Sequence, residues 1–254
     1  MMRVVKIGGR AQGDPGLAGA IAAAVAQGDA VCVVHGGGDD VSSFQRRLGM
    51  EPKFSGGRRV TSVEDLEVVR MVLSGAINKR LVAQFISAGI RAVGVSGEDA
   101  SLFQARATDP ERMGRVGGDI KADASLISHL LAGGYVPVVS PLAREAGSQD
   151  GAGLNVNGDD AAAALAVALG ADDLVLVADV LGVIEDGKVI PSLDLDAAAA
   201  LIQRGVATGG MAAKLEATAF ALKGGVASVR IAGVAGISDV AAGTRLAFSP
   251  FSVR

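Results

Sequence analysis

Short valine-rich runs alternate along the chain with longer segments whose apolar residues recur every three or four positions. The runs RVVKI (3–7), DAVCVV (29–34), IRAVGV (90–95), YVPVVS (135–140), DDLVLVA (172–178) and SVRIA (228–232) are bounded by Gly, Asp or Pro. Runs this continuously apolar read as parallel strands covered on both faces. Helical periodicity occupies 14–27, 39–48, 63–87, 123–132, 159–169, 195–203 and 211–223. Strand and helix in this alternation predict an α/β fold, a three-layer sandwich with a mainly parallel central sheet flanked by helices, because parallel neighbours need crossovers. Short antiparallel pieces are expected at 102–118, 142–154 and 183–190. A soft boundary falls at 143–157, where AREAGSQDGAGLNVN is small and polar. It divides the chain into lobes 1–154 and 155–254 that share one sheet.

Composition narrows the classes of function. The formal net charge is −3 and aromatic residues make up 3% of the chain, which argues against a nucleic-acid or anionic-membrane partner. The single cysteine, Cys32, sits inside an apolar run and reads as core. Two histidines, with no HExxH or CxxC spacing, leave no protein-built metal site to expect. No signal-like leader and no apolar stretch of about 18 or more residues is present, so a cytoplasmic protein is expected.

The candidate chemistry sits where runs end. KIGG places Lys6 one residue ahead of Gly8 and Gly9, either as an edge-strand decoration or as a cation aimed at an anion that the glycine backbone approaches. VVHGGG leads from a strand through Gly36, Gly37 and Gly38 into a helix, where free N–H groups cradle an anion or simply make a tight turn. In GGRRVT, Arg59 is a solvated charge or a planar clamp for a carboxylate. NVNGDD alternates Asn155, Asn157 and Asp159 ahead of an alanine-rich helix; capping needs one of the three, and the surplus invites a ligand. TGGMAAK sets Gly209 and Gly210 before a helix carrying Lys214. Neither GxGxxG nor GxxxxGK[ST] occurs, which weakens dinucleotide and P-loop readings. Two lysines, glycine cradles, a carboxylate clamp and an aspartate together describe phosphoryl transfer without a P-loop.

In their order and spacing, KIGGR, VVHGGG, RRVT, GAINKRL, GYVPVVS, NVNGDDAA and GGMAAKLEA resemble the amino acid kinase family over nearly the whole chain, and within it the N-acetyl-L-glutamate kinases. The resemblance implies that Lys6 and Lys214 stabilise the transferring phosphoryl group while Asp159 holds the lysines. It implies further that Gly37, Gly38, Arg59 and Asn155 bind the acyl amino acid. Gly8 and Gly9 would face the phosphates, and Asp179, Gly182, Gly209 and Gly210 the nucleotide. The expected substrates are ATP, carrying its own Mg²⁺, and the side-chain carboxylate of N-acetyl-L-glutamate, in arginine biosynthesis. A carboxylate is already ionised at neutral pH, so no general base is needed. The alternatives are a kinase for a carrier-bound aminoadipate or glutamate, or for another N-acyl glutamate, and a non-catalytic binding regulator.

The segment 63–87 carries one expectation about assembly. Leu66, Val69, Leu73, Ile77, Leu81 and Phe85 recur at helical spacing, while Val68, Met71, Val72 and Val82 widen the stripe beyond one sheet contact. A homodimer through this helix is expected. With the first strand starting at Arg3, the N-terminal helix that accompanies arginine feedback in the resembling family is not expected, nor is inhibition by L-arginine.

Overall fold

A computed structural model of the chain describes residues 1–149 and 152–248; Asp150 and Gly151, inside the expected boundary segment, lie outside them. Its centre is one eight-stranded sheet. From one edge the order runs β14 (Ser192–Asp194), β16 (Thr244–Ala247), β15 (Ser228–Ala232), β11 (Asp173–Val177), β1 (Met2–Ile7), β2 (Ala30–His35), β8 (Val136–Ser140) and β5 (Ala92–Ser96). All neighbours are parallel except β15 and β16. The six expected runs supply six of these strands. The other two, β14 at the edge and β16 beside it, are short pieces whose three and four residues give periodicity too little length to register.

Alternate residues of each strand feed two cores. Val4, Cys32, Val34, Leu174 and Leu176 face α7 (Gly158–Ala168) and α9 (Gly209–Lys223), with α8 (Leu195–Gln203) packed beside them. Val5, Val31, Val33, Val175 and Val177 face α1 (Leu17–Ala26) and the long helix. Ala161 to Ala166 of α7 are all buried, and side chains this small let the helix lie close on the sheet.

The remaining helices are α2 (Gly38–Arg47), α3 (Val63–Arg70), α4 (Asn78–Ser87), α5 (Pro110–Met113) and α6 (Ser125–Ala132). α1 and α6 start later than their periodicity suggests. The carboxylates of Asp14 and Asp123 accept from the N–H two residues on, at 2.7 and 2.9 Å, which turns the chain before either helix begins. α3 and α4 form one rod, wound between them as π-helical turns over Met71–Ile77. Val68 and Val72 are buried together with Leu66, Val69, Leu73, Ile77, Leu81 and Phe85, while Met71 is 60% exposed. The wide stripe is therefore largely absorbed by the chain's own core.

The expected antiparallel pieces form β6 (Phe103–Ala107), β7 (Val116–Ala122), β9 (Leu142–Glu145) and β10 (Gly153–Val156), which close on one another as a small barrel. Two hairpins complete the chain: β3 (Phe54–Ser55) with β4 (Arg58–Arg59), and β12 (Ile184–Glu185) with β13 (Lys188–Val189).

Candidate active site

β1 is flanked by β2 on one side and β11 on the other, with Lys6 level with Val34 and with Leu176. Strand order reverses here, and such a switch point opens a crevice at the carboxyl ends of the strands. Two glycine turns meet in it. A Cβ placed on Gly36, after β2, would stand 3.8 Å from Gly9 N, after β1, and 4.0 Å from Lys6 Nζ.

The same crevice receives the start of α7. Asn157 caps that helix, its Oδ1 accepting from the N–H groups of Asp159 at 2.7 Å and Asp160 at 3.3 Å. The cap delivers Asp159, 4% exposed, to Lys6, whose Nζ lies 2.8 Å from Oδ1. Lys214, in the second turn of α9, donates to both Asp159 oxygens at 3.2 Å. One carboxylate thus holds two ammonium groups in a nearly dry site. Burial pushes the Asp159 pKa up, but Lys6 and Lys214 outweigh it and keep it below the usual carboxylate range. Burial first, and then the charge of Lys6, push Lys214 down against the pull of Asp159. The cluster carries a net charge of one positive, the sign that an incoming phosphoryl group requires.

Beside it lies a cavity of about 210 Å³, lined by the turn Gly36 to Gly38, the β3–β4 hairpin and the segment Asn155 to Gly158. Arg59 is 8% exposed in its wall. Its Nη2 donates to Gly38 O and Ser42 Oγ, both at 2.7 Å; Nη1 donates to Gln45 Oε1; and the guanidinium lies 4.8 Å from the Phe54 ring centroid. Burial lowers its pKa, with Asp65 opposing. Asn155 Nδ2 donates to Thr61 Oγ1 at 3.1 Å, so the amide spans β10 and the loop after β4.

The expected residues fall into two adjoining groups: Lys6, Lys214 and Asp159 form the charged cluster, and Gly37, Gly38, Arg59 and Asn155 line the cavity. A Cβ on Gly158 would be 3.3 Å from Lys6 Cε, which marks how closely the two adjoin. Gly8 sits at the end of β1, beside Val177 O of β11. Asp179, past β11, is paired with Arg10 at 3.6 Å. Gly182 is a packing glycine, since a Cβ there would meet Thr244 Oγ1 and Val189 Cγ1 at 2.7 Å. Gly209 and Gly210 open α9, two turns or less from Lys214. None of these last four lines the Arg59 cavity.

Three polar side chains beside the site stand outside the expected set. His35 is fully buried under the second glycine turn, and burial pushes its pKa down to about 4. Its place immediately before Gly36 was the available signal. Arg58 pairs with Asp160 at 3.0 Å and ties the β3–β4 hairpin to α7. Burial raises the Asp160 pKa and Arg58 opposes the rise. Two exposed-looking charges 102 residues apart give the sequence no means of announcing that pair.

The chain is similar to acetylglutamate kinase of Chloroflexus aurantiacus, 40% identical over 253 residues that cover 98% of both chains. Acetylglutamate kinase of Methanopyrus kandleri is 43% identical over 217 residues, covering 82% of this chain and 87% of that one. Among solved structures, a Streptococcus mutans protein matches with a TM-score of 0.88 and 28% identity, over 98% of this chain and 99% of the other. Carbamate kinase from Giardia lamblia bound to AMP-PNP shares the fold, with a TM-score of 0.70 and 18% identity over 98% of each chain. The model of the amino acid kinase family matches residues 1–233, and by this match and these relatives the chain belongs to that family.

Proposed function

We propose that the protein is an acetylglutamate kinase, which transfers the γ-phosphoryl group of ATP to the side-chain carboxylate of N-acetyl-L-glutamate in arginine biosynthesis. The observation that carries the reading is the lysine pair bridged by Asp159, set directly against a small cavity walled by Arg59 and Asn155. A carboxylate oxygen attacks the γ-phosphorus, the bond to the ADP oxygen breaks, and no proton moves in the step. Lys6 and Lys214 offset the charge on the transferring group, and Asp159 fixes their spacing. Gly37 and Gly38 offer backbone N–H groups to the acid.

Arg59 and Asn155 take its α-carboxylate. Nη2 of Arg59 is already committed to Gly38 O and Ser42, so Nε and the second Nη1 hydrogen are the donors left for that task. Gly8, Gly9, Gly209, Gly210, Asp179 and Gly182 border the nucleotide at the ends of β1 and β11 and the start of α9. Mg²⁺ suits this donor set as an ion brought by ATP, because the one carboxylate at the centre is occupied by two lysines. It would neutralise phosphate charge there.

In the same reading, residues 1–154 chiefly handle the acid and 155–254 chiefly the nucleotide, with Asn155 and the Gly8–Gly9 turn reaching across where the two halves of the sheet meet at β1 and β11. ATP dependence fits a cytoplasmic enzyme; no helix among the described residues is long and apolar enough to cross a membrane. A homodimer would use the outer face of the helix 63–87, where Met71 and Ile86 are exposed. The function is tested by trapping the acyl phosphate as a hydroxamate, with ATP, Mg²⁺ and hydroxylamine, across a panel of acids. N-acetyl-L-glutamate should give the fastest ATP-dependent trapping. Preference for N-acetyl-L-2-aminoadipate, or no trapping with any acid, would overturn the proposal.

A further inference from the structure

Gln12 belongs to none of the motifs above. It lies in the 3₁₀ turn Arg10–Gly13, is 7% exposed, and donates from Nε2 to Gly36 O at 2.9 Å, joining the turn after β1 to the turn after β2. The same carbonyl lies 2.8 Å from His35 Nδ1. Nε2 of that ring faces Asn78 Nδ2 at 3.3 Å, and the Asn78 amide also donates to Val138 O at 2.8 Å. This network assigns the proton of a neutral His35 to Nδ1, so the ring donates to Gly36 O.

A carbonyl oxygen has two lone pairs, and here both are met by buried donors. The peptide between Gly36 and Gly37 is trans and planar, which sets the Gly37 N–H antiparallel to that carbonyl. Neither Gln12 nor His35 lines the Arg59 cavity, whereas Gly36 and Gly37 do. Holding the carbonyl on the buried side therefore holds the Gly37 N–H toward the cavity, and no described backbone hydrogen bond uses that N–H. The other end of the Gln12 amide is a loss, because Oε1 is buried without a partner. A methionine would fill similar space without orphaning an acceptor, but it would leave Gly36 O held by His35 alone.

We propose that Gln12 is a positioning residue: with His35 it clamps Gly36 O and so aims the Gly37 N–H at the carboxylate that accepts the phosphoryl group. The proposal rests on the acyl amino acid reading of the cavity. Its test is a pair of variants, Gln12→Met and Gln12→Leu, assayed beside the wild type. Turnover of N-acetyl-L-glutamate should fall on the order of tenfold, less than the 10²–10³-fold that follows deletion of such a donor outright. The KM for ATP should stay within about twofold, and the thermal midpoint should hold or rise with the orphaned acceptor gone. The Gly37 amide resonance should shift on adding N-acetyl-L-glutamate to the wild type, and shift less in the variants. Wild-type turnover in both variants, or a fall that the unfolded fraction accounts for, would overturn the role of Gln12. A wild type that does not phosphorylate N-acetyl-L-glutamate would instead overturn the reading beneath it.

Discussion

At the scale of single residues the account turns on charges that are buried and shared. Lys6→Ala or Lys214→Ala leaves Asp159 with one ammonium partner, so the fold should persist while the transferring group loses a cation. We expect kcat to fall by roughly 10²–10³-fold with smaller changes in either KM. Full activity in either variant, measured by steady-state kinetics, would remove the lysine from the mechanism. Arg59→Lys keeps a charge but cannot serve Gly38 O, Ser42 and a ligand at once from a planar fork. Its KM for the acid should rise at least about tenfold, the effect of losing one charge-assisted hydrogen bond, with the KM for ATP little changed. His35 makes a prediction about pH. Its folded pKa, about 4, lies below the ordinary 6.5, so as pH falls the unfolded chain takes the proton first. Its contribution is complete above pH 6.5 and drains away toward pH 4. Asp159, held low by its lysines, pulls in the same direction at more acid pH. Urea unfolding should show the wild type less stable at pH 5.5 than at pH 7 by roughly 1 kcal/mol. A flat profile would mean that His35 is charged or exposed in the folded chain.

Among the elements, the second glycine turn and the π-helical turns depend on each other. Gly37 has φ 154°, and a Cβ there would come within 2.1 Å of Ile77 Cδ1 and 2.9 Å of Leu73 Cδ2. Gly37→Ala should cost about 1–3 kcal/mol from overpacking alone, read as a lower thermal midpoint, with activity damaged beyond the loss of fold. A stable, active Gly37→Ala would show that the turn does not seat against the long helix as described. At this scale much was legible in the sequence. KIGG, VVHGGG and NVNGDD mark strand ends because backbone geometry, capping and apolar period are all local. Arg59 was legible as a candidate because it follows the glycines of GGRRVT, but its commitment to Ser42 and Gln45 was not, since those contacts span 17 and 14 residues. Gln12 shows the limit most plainly. Its partner, Gly36 O, is a backbone atom 24 residues away, and a glutamine beside Ala11 and Gly13 carries no period or motif that would single it out.

Across the whole molecule, the order of strands does what no residue does alone. Because β1 separates the halves of the sheet, strands from residues 1–140 and from residues 173–247 end at one crevice. The alternation of runs foretold the parallel sheet, but not that β1 would sit at its middle, which depends on pairing with β11 170 residues later. How the apolar width of the long helix is used was not legible either: π-helical turns and the surrounding core cover most of it, and Met71 and Ile86 are left on the outer face. The central claim is that this crevice passes a phosphoryl group directly from ATP to a carboxylate oxygen. It is tested by incubating the protein with ATP, Mg²⁺ and N-acetyl-L-glutamate labelled with ¹⁸O in its side-chain carboxylate, and following the products by ³¹P nuclear magnetic resonance. The account predicts an acyl phosphate signal displaced upfield by ¹⁸O bonded to phosphorus. Inorganic phosphate alone, or an acyl phosphate signal without the isotope displacement, would contradict it.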